Sequence, residues 1–381
     1  MPAIDVNSAI HSMNILFITN TLPPVVDGVG DYTVNLAKEF VAHGHKVSIV
    51  CRHDDLERTI DERVHIFPVV KKWDKQNAEP VIQLIDKEHI DVVSLQYVPH
   101  GFEPHGLPFS LIGFIKKIKG TGTPIFTFCH EVYWKYRGTN IKYLTESLLM
   151  AHISREILKL STLVATSISH YAEMINGLCR KNVSLIPIAS NIPITDPDED
   201  TARRLRSEIA PYHEFIVAFI GKREMGTVSV ALQRLIQGSY PIKILLIGKT
   251  NEIIGIKNQY CYHTGILDID ELSKYVSVAD CMIMPQDNES GCSFKSGSLA
   301  AALGFGLPVV TSRGIMTDDS LKDKENILFV DSSSADSYYD TIVSLMRDKS
   351  LAEKVAQGSK TIGMKLTWEE TYRKYMDIIN K

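Results

Sequence analysis

Apolar residues fall along this chain in short unbroken runs that alternate with segments of helical spacing. The runs cover 14–19, 47–51, 92–97, 125–128, 163–166 and 183–188, then resume at 215–220, in "PIKILLIG" and "QYCYHTGIL", at 281–284 and 307–310, and in "NILFV". Continuous apolar runs of this kind suit strands covered on both faces, as in parallel sheets. Between them, Val34, Leu36, Ala37, Phe40 and Val41 give one helix an apolar face that Gly44 ends. Leu299, Ala302, Leu303 and Gly306 fall at i, i+3, i+4 and i+7 of another. "DIDELSKYVSVAD" opens a third helix with an Asp-x-x-Glu start. The pattern predicts an α/β chain of strand, loop, helix, strand units. At 381 residues the chain exceeds what one core usually holds, so two domains are expected.

In such sheets the ligand crevice lies beyond the carboxyl ends of the strands, where helix N-termini turn their unpaired N–H groups toward it. Gly28 and Gly30 free the backbone at the first of these turns. The third glycine of a dinucleotide fingerprint would fall at Thr33, which disfavours a nicotinamide cofactor. The run 125–128 delivers His130 and Glu131, a hydrogen-bond partner or proton relay and an acid or binder of hydroxyls. The plainer alternative is that His130 only closes its strand. After 215–220, Gly221 is followed by Lys222 and Arg223, two cations able to neutralise a diphosphate. The stretch 280–313, "DCMIMPQDNESGCSFKSGSLAAALGFGLPVVTSR", stops its strand at Pro285 and enters a polar loop. Lys295 supplies a mobile positive charge there, and Gly297 and Ser298 open a helix, together describing a phosphate-binding turn. An ordinary loop with one capping serine is the plainer reading.

Composition narrows the classes. The chain is 44% apolar with a formal net charge of −4, normal for a globular protein and without the basic excess of a nucleic-acid binder. The start, "MPAIDVNSAIHS", has neither the basic beginning nor the apolar core of a signal peptide, so a loose tail and a cytoplasmic chain are expected. Six scattered cysteines without a C-x-x-C pair read as reduced small hydrophobes. "LPFSLIGFIKKIKG", 107–120, is a core-packed helix with a basic edge or one that rests on an anionic bilayer. "NIPITDPDEDTARRLRSEIAPYHEF" has the composition of an interdomain connection, and Trp368, Tyr372 and Tyr375 form a packing stripe near the end.

Four patches in a fixed order carry a family resemblance: "GVGDYTVNLAKEFVAHGHKVSIV"; "VPHGF" and "HGLP" with "HEVYW"; "LIPIASNIP"; and "GFGLPVVTSRG" after "KSGSLAAAL". From Met13 onward the chain resembles the retaining glycosyltransferases of the GT-B fold usually called family 4. The resemblance implies two facing Rossmann-like domains with parallel sheets and an interdomain cleft. It divides the chain into a tail (1–12), an acceptor-binding domain (13–195), a linker (196–212), a nucleotide-sugar-binding domain (213–362) and a helix returning to the first domain (363–381). Carried over by position, Gly28 and Gly30 match the glycine loop against the donor phosphates, and His130 matches the histidine near the transferred sugar. Lys222 matches the basic residue after the second domain's first strand. Arg223 stands in for a Lys-Gly partner that is Met225-Gly226 here, and Gly297 and Ser298 match the helix start beneath the diphosphate, with Lys295 beside them. His130 and Lys222 are the implied catalytic residues, while Glu131, Asp287 and Glu289 are acceptor or sugar-binding candidates.

One departure stands out. Two glutamates that many members carry fall, by alignment back from Gly306-Leu307-Pro308, on Ser293 and Ala301. "SFKSGS" instead resembles a sub-branch with a basic, small, Gly-Ser helix start. The resemblance implies transfer of a sugar from a UDP- or GDP-linked donor to an acceptor hydroxyl, with retention and without a metal or other cofactor. The acceptor would be a saccharide or lipid-linked saccharide in polysaccharide or glycoconjugate synthesis, with peripheral contact at the inner face of the cell membrane through 107–120. A sugar-nucleotide-binding protein without turnover, or a nucleotide-sugar epimerase, would share the fold.

Overall fold

The computed structural model describes residues 12–381 apart from Thr59, Asp196, Asn251, Glu252 and Ile254. Of the expected tail, only Ser12 lies within the described residues. The chain divides into two compact units, one of Met1–Ile186 with Tyr372–Lys381 and one of Pro187–Thr371.

The first unit holds strands β1 (Asn14–Ile18), β2 (Lys46–Arg52), β3 (Val64–Val70), β4 (Val92–Tyr97), β5 (Ile125–Cys129), β6 (Leu163–Thr166) and β7 (Ser184–Leu185). Its helices are α1 (Gly28–Ala42), α2 (Glu79–Lys87), α3 (Pro99–Phe102), α4 (Phe109–Lys119), α5 (Ile141–Leu160) and α6 (Ser169–Cys179). The strands pair in parallel in the order β3-β2-β1-β4-β5-β6-β7. Phe17 lies between Ile49 and Ser94 in register, and Ile15, Leu16, Phe17 and Ile18 are fully buried. That double coverage is why β1 reads as one apolar run.

The second unit repeats the plan with β8 (Phe215–Ile220), β9 (Ile242–Ile247), β10 (Cys261–Gly265), β11 (Cys281–Met284), β12 (Val309–Thr311) and β13 (Leu328–Phe329). Its helices are α7 (Glu199–Ile209), α8 (Gly226–Gln237), α9 (Ile269–Ser277), α10 (Gly297–Gly304), α11 (Ala335–Arg347) and α12 (Lys349–Gly363). The strand order is β10-β9-β8-β11-β12-β13, again all parallel. In both sheets the order reverses beside the first strand, between β1 and β4 and between β8 and β11. Loops leaving those strands diverge and open a crevice at their carboxyl ends.

The last helix, α13 (Trp368–Ile379), supplies the first unit with Tyr372 and Tyr375. Tyr375 is fully buried against Phe126 and Phe128, with ring centroids 4.7 and 5.9 Å away, and its hydroxyl accepts from Gln96 Nε2 at 3.3 Å. Tyr372 packs edge-on to Phe40 at 5.0 Å and bonds His45 Nε2 at 2.8 Å.

Several sequence expectations are corrected in detail. The charged stretch after Cys51 ends in a strand, β3, which the apolar pattern missed. The run at 183–188 forms only Ser184–Leu185, and that at 307–310 pairs from Val309. Gly306 lies beyond α10, at φ 73°, a left-handed conformation that glycine adopts without strain, so the helix face ends at Leu303. Within 196–212 the chain forms α7, capped by Asp198 accepting from Thr201 N at 2.9 Å. Leu205 and Ile209 are buried, and Arg206 bonds both oxygens of Asp280 at 3.0 and 2.8 Å. This segment is packed structure of the second unit. Finally, α4 buries Leu111, Phe114, Ile115 and Ile118 completely, so these side chains of 107–120 pack in the core, while Phe109 is 46% exposed and Lys116, Lys117 and Lys119 form an exposed basic edge. Among the described residues no helix is long and apolar enough to cross a membrane.

Candidate active site

A cavity of about 560 Å³ opens at the point where the second sheet's strand order reverses. The loop after β8 lines it with Lys222, Arg223 and Glu224, the loop after β11 with Pro285, Gln286 and Asp287, and the turn after β13 with Ser332 and Ser333. The first turn of α8, Gly226, Thr227 and Val228, forms its floor together with Tyr338. No side chain caps α8, so its leading N–H groups and positive dipole end are available to an anion.

The two cations differ in how they are held. Lys222 is exposed, whereas Arg223 is half-buried and its Nε donates to the carbonyl of Ile220 at 3.2 Å. Burial lowers the Arg223 pKa from its ordinary value, which marks a desolvated guanidinium that gains from an incoming anion. Asp287 accepts from Ser290 N at 2.6 Å, and that bond holds its carboxyl below the usual range, so it is charged at neutral pH. A fixed carboxylate suits hydroxyls and not phosphates, which separates a cationic from an anionic wall within one cavity. Burial, and next the charge of Asp331, raises Tyr338 to about 12, leaving a neutral phenol beneath the site.

The start of α10 follows the loop that leaves β11. Lys295 is exposed there, and Ser296 caps the helix by accepting from Leu299 N at 3.2 Å. A Cβ on Gly297 would lie 3.7 Å from the Ala189 carbonyl oxygen, ordinary contact, so glycine is not sterically demanded. Lys295, Gly297, Ser298 and Glu289 are not among the residues that line this cavity. Ser293 and Ala301, where the family's glutamates would fall, are 4% and 0% exposed.

In the first unit, Asp27 caps α1 by accepting from Gly30 N at 2.8 Å. Gly30 is required, since a Cβ would stand 2.7 Å from the Thr21 carbonyl oxygen, whereas nothing lies within 4 Å of the same atom at Gly28. His130 follows β5, its ring 4.8 Å from Tyr32 and 4.7 Å from Phe128. Gln96 directs its amide nitrogen to Ser94 Oγ at 2.9 Å and its oxygen to His130 Nε2 at 3.0 Å. This network assigns the imidazole proton to Nε2 and leaves Nδ1 as an acceptor. Burial lowers the His130 pKa from 6.5 to about 3, so the ring is neutral at physiological pH and suits hydrogen bonding better than proton relay. Glu131 is half-buried beside it in sequence.

Sequence reasoning gave Gly226 no site role of its own and passed over Thr227, Ser332 and Ser333. For the first pair the signal was present: glycine directly before the apolar spacing Val228, Ala231, Leu232 and Leu235 marks a helix start just past a strand end. The serines reach the cavity only through sheet order, which no local pattern reveals. The cysteines behave as expected: Cys51, Cys129, Cys281 and Cys292 are buried, and burial pushes Cys51 and Cys292 up to about 11.

Known proteins show the same architecture. Residues 26–189 match Glycosyltransferase Family 4, and residues 216–348 match Glycosyl transferases group 1. No curated protein matches the sequence significantly. Among solved structures, sucrose-phosphate synthase from Thermosynechococcus elongatus aligns with a TM-score of 0.72 at 14% identity, over 97% of this chain and 98% of that one. HepE from Anabaena, in complex with UDP and glucose, aligns at 0.69 and 11% identity over 97% and 99%. WaaG, a glycosyltransferase involved in lipopolysaccharide biosynthesis, aligns at 0.67 and 13% identity over 96% and 99%. With both halves matched in order and two Rossmann-like units of the expected topology, the chain belongs to the family-4-like glycosyltransferases of the GT-B fold.

Proposed function

We propose that this chain transfers a sugar from a UDP- or GDP-linked donor to an acceptor hydroxyl, with retention and without a metal, in polysaccharide or glycoconjugate synthesis. The observation that carries the proposal is the cavity where Arg223, Lys222 and the uncapped start of α8 meet at the reversal of the second sheet. Breaking the bond between sugar C1 and a nucleoside diphosphate builds negative charge on phosphate oxygens while the sugar becomes oxocarbenium-like. Positive groups fixed in advance lower that barrier. HepE, whose structure holds UDP and glucose, offers a precedent for such a ligand on this fold. Lys295, Gly297 and Ser298 are retained as a second phosphate contact. Asp287, Glu131 and Glu289 are assigned to hydroxyls of the sugar or acceptor, Gly28 and Gly30 to the donor side, and neutral His130 to a hydrogen bond with the transferred sugar.

A panel of nucleoside diphosphates and their sugars in a thermal-shift assay, followed by transfer and donor-hydrolysis assays, tests this. A UDP or GDP compound should give the largest stabilisation, because a ligand of the folded state raises its apparent stability. Product anomer configuration by NMR decides retention. Ser293 and Ala301 in place of glutamates favour one other outcome, binding without turnover. A donor that binds but is neither transferred nor hydrolysed would establish that reading instead.

A further inference from the structure

The start of α5 carries apolar bulk on two opposed sides. The inner side buries Met150, Ile153, Ile157 and Leu158 in the first unit. The outer side presents Ile141, Leu144 and Leu148, spaced i, i+3, i+7 and 79%, 42% and 63% exposed. Beside them Trp134, Tyr136 and Tyr143 form a ring cluster with centroids 5.2 to 5.7 Å apart. Trp134 remains 48% exposed. These rings sit on an anchored loop: Tyr136 N donates to buried Ser147 Oγ at 3.1 Å, and its hydroxyl accepts from Asn140 N at 3.2 Å. Asn140 in turn caps α5 by accepting from Lys142 N at 3.0 Å.

Cations flank the ring cluster in sequence, Lys135 and Arg137 on either side of Tyr136 and Lys142 directly before Tyr143. Lys135 and Arg137 are exposed and form no ion pair among the described residues. Lys142 reaches Glu146 only at 4.0 Å and lies 6.0 Å from the centre of the Tyr143 ring.

We propose that this patch, and not α4, seats the first unit on a membrane surface carrying anionic lipid headgroups. Tryptophan and tyrosine concentrate where a surface is half apolar and half wet, and aliphatic side chains beside them enter the shallow acyl boundary. Unpaired lysine and arginine on the same face meet the headgroup charge. A second copy of the chain fits this face less well, because a two-fold interface would gather the Lys135 and Arg137 of both copies into one seam. The proposal is independent of which nucleotide the second unit binds.

The test is co-sedimentation of the full chain with phosphatidylcholine vesicles with and without phosphatidylglycerol. The chain should partition onto the anionic vesicles and not onto phosphatidylcholine alone. The triple variant I141S/L144S/L148S and the charge variant K135E/R137E should each weaken partitioning about tenfold or more, with unchanged melting temperature, since all five side chains are exposed. Tryptophan emission should shift to the blue on the vesicles, and W134F should lose the shift while still binding. Absence of anionic binding, or binding by both variants at the wild-type level, would overturn the proposal. So would a self-associated wild type that these substitutions make monomeric while vesicle binding stays constant.

Discussion

Replacing Arg223 by alanine should damage nucleotide binding far more than replacing its neighbour Lys222. Arg223 is half-buried, held by its own Nε bond to Ile220, and desolvated before any ligand arrives. It therefore loses little freedom and little hydration when a diphosphate docks beside it. Hydrogen bonds between charged partners of that kind contribute about 1.5–3 kcal/mol, so R223A should raise the Kd for UDP or GDP about 10- to 150-fold. Lys222 is exposed, flexible and screened, and its loss should cost ~1 kcal/mol, about fivefold. Isothermal titration at low and high salt measures both, and the Lys222 effect should shrink more at high salt. Equal losses in the two variants, or none in R223A, would refute the placement of the diphosphate in this cavity.

Three further outcomes follow from the same geometry. Because burial lowers His130 from 6.5 to about 3, the unfolded chain binds the extra proton first as pH falls through that interval. Stability of the first unit should therefore drop below pH 6.5 and flatten near pH 3, and H130Q should show a shallower decline in urea titrations; an identical pH slope would contradict the assignment. R206A, which breaks the bidentate Asp280 pair and a 2.9 Å bond to the Val278 carbonyl, should destabilise the second unit by ~1–2 kcal/mol, the partial exposure of the pair keeping the loss modest. An unchanged urea midpoint would instead return 196–212 to the role of a loose connection. A Cβ on Gly363 would stand 2.3 Å from Gly304 N, so G363A should force α10 and α12 apart at about 1–3 kcal/mol, read as a lowered melting temperature.

What the chain's sequence disclosed depended on how local each signal was. Phe215–Ile220 and Cys281–Met284 are interior strands buried on both faces, and an uninterrupted apolar run has no other common explanation of that length. β3 is an edge strand in which His65 and Pro68 interrupt the apolar residues and only the two ends are buried, so its run is broken. Within α7, Leu205 and Ile209 are the only buried residues, and its charges look like a linker until Asp280 appears across the fold from Arg206. Lys222 and Arg223 were legible because a site residue directly after a strand end needs no knowledge of topology. That Lys295, Gly297 and Ser298 do not line the same cavity was not, because what a loop places beside a strand end depends on sheet order and loop path.

The dependence of the first sheet on Tyr372 and Tyr375 sets a schedule for synthesis. While the ribosome is still making the second unit, the space among Phe40, Phe126 and Phe128 waits for side chains that emerge only after it. The amino-terminal half must then persist as a loosely packed nascent form, in need of shelter from aggregation, until those tyrosines arrive. A late stop codon should thus unravel the beginning of the molecule before its end.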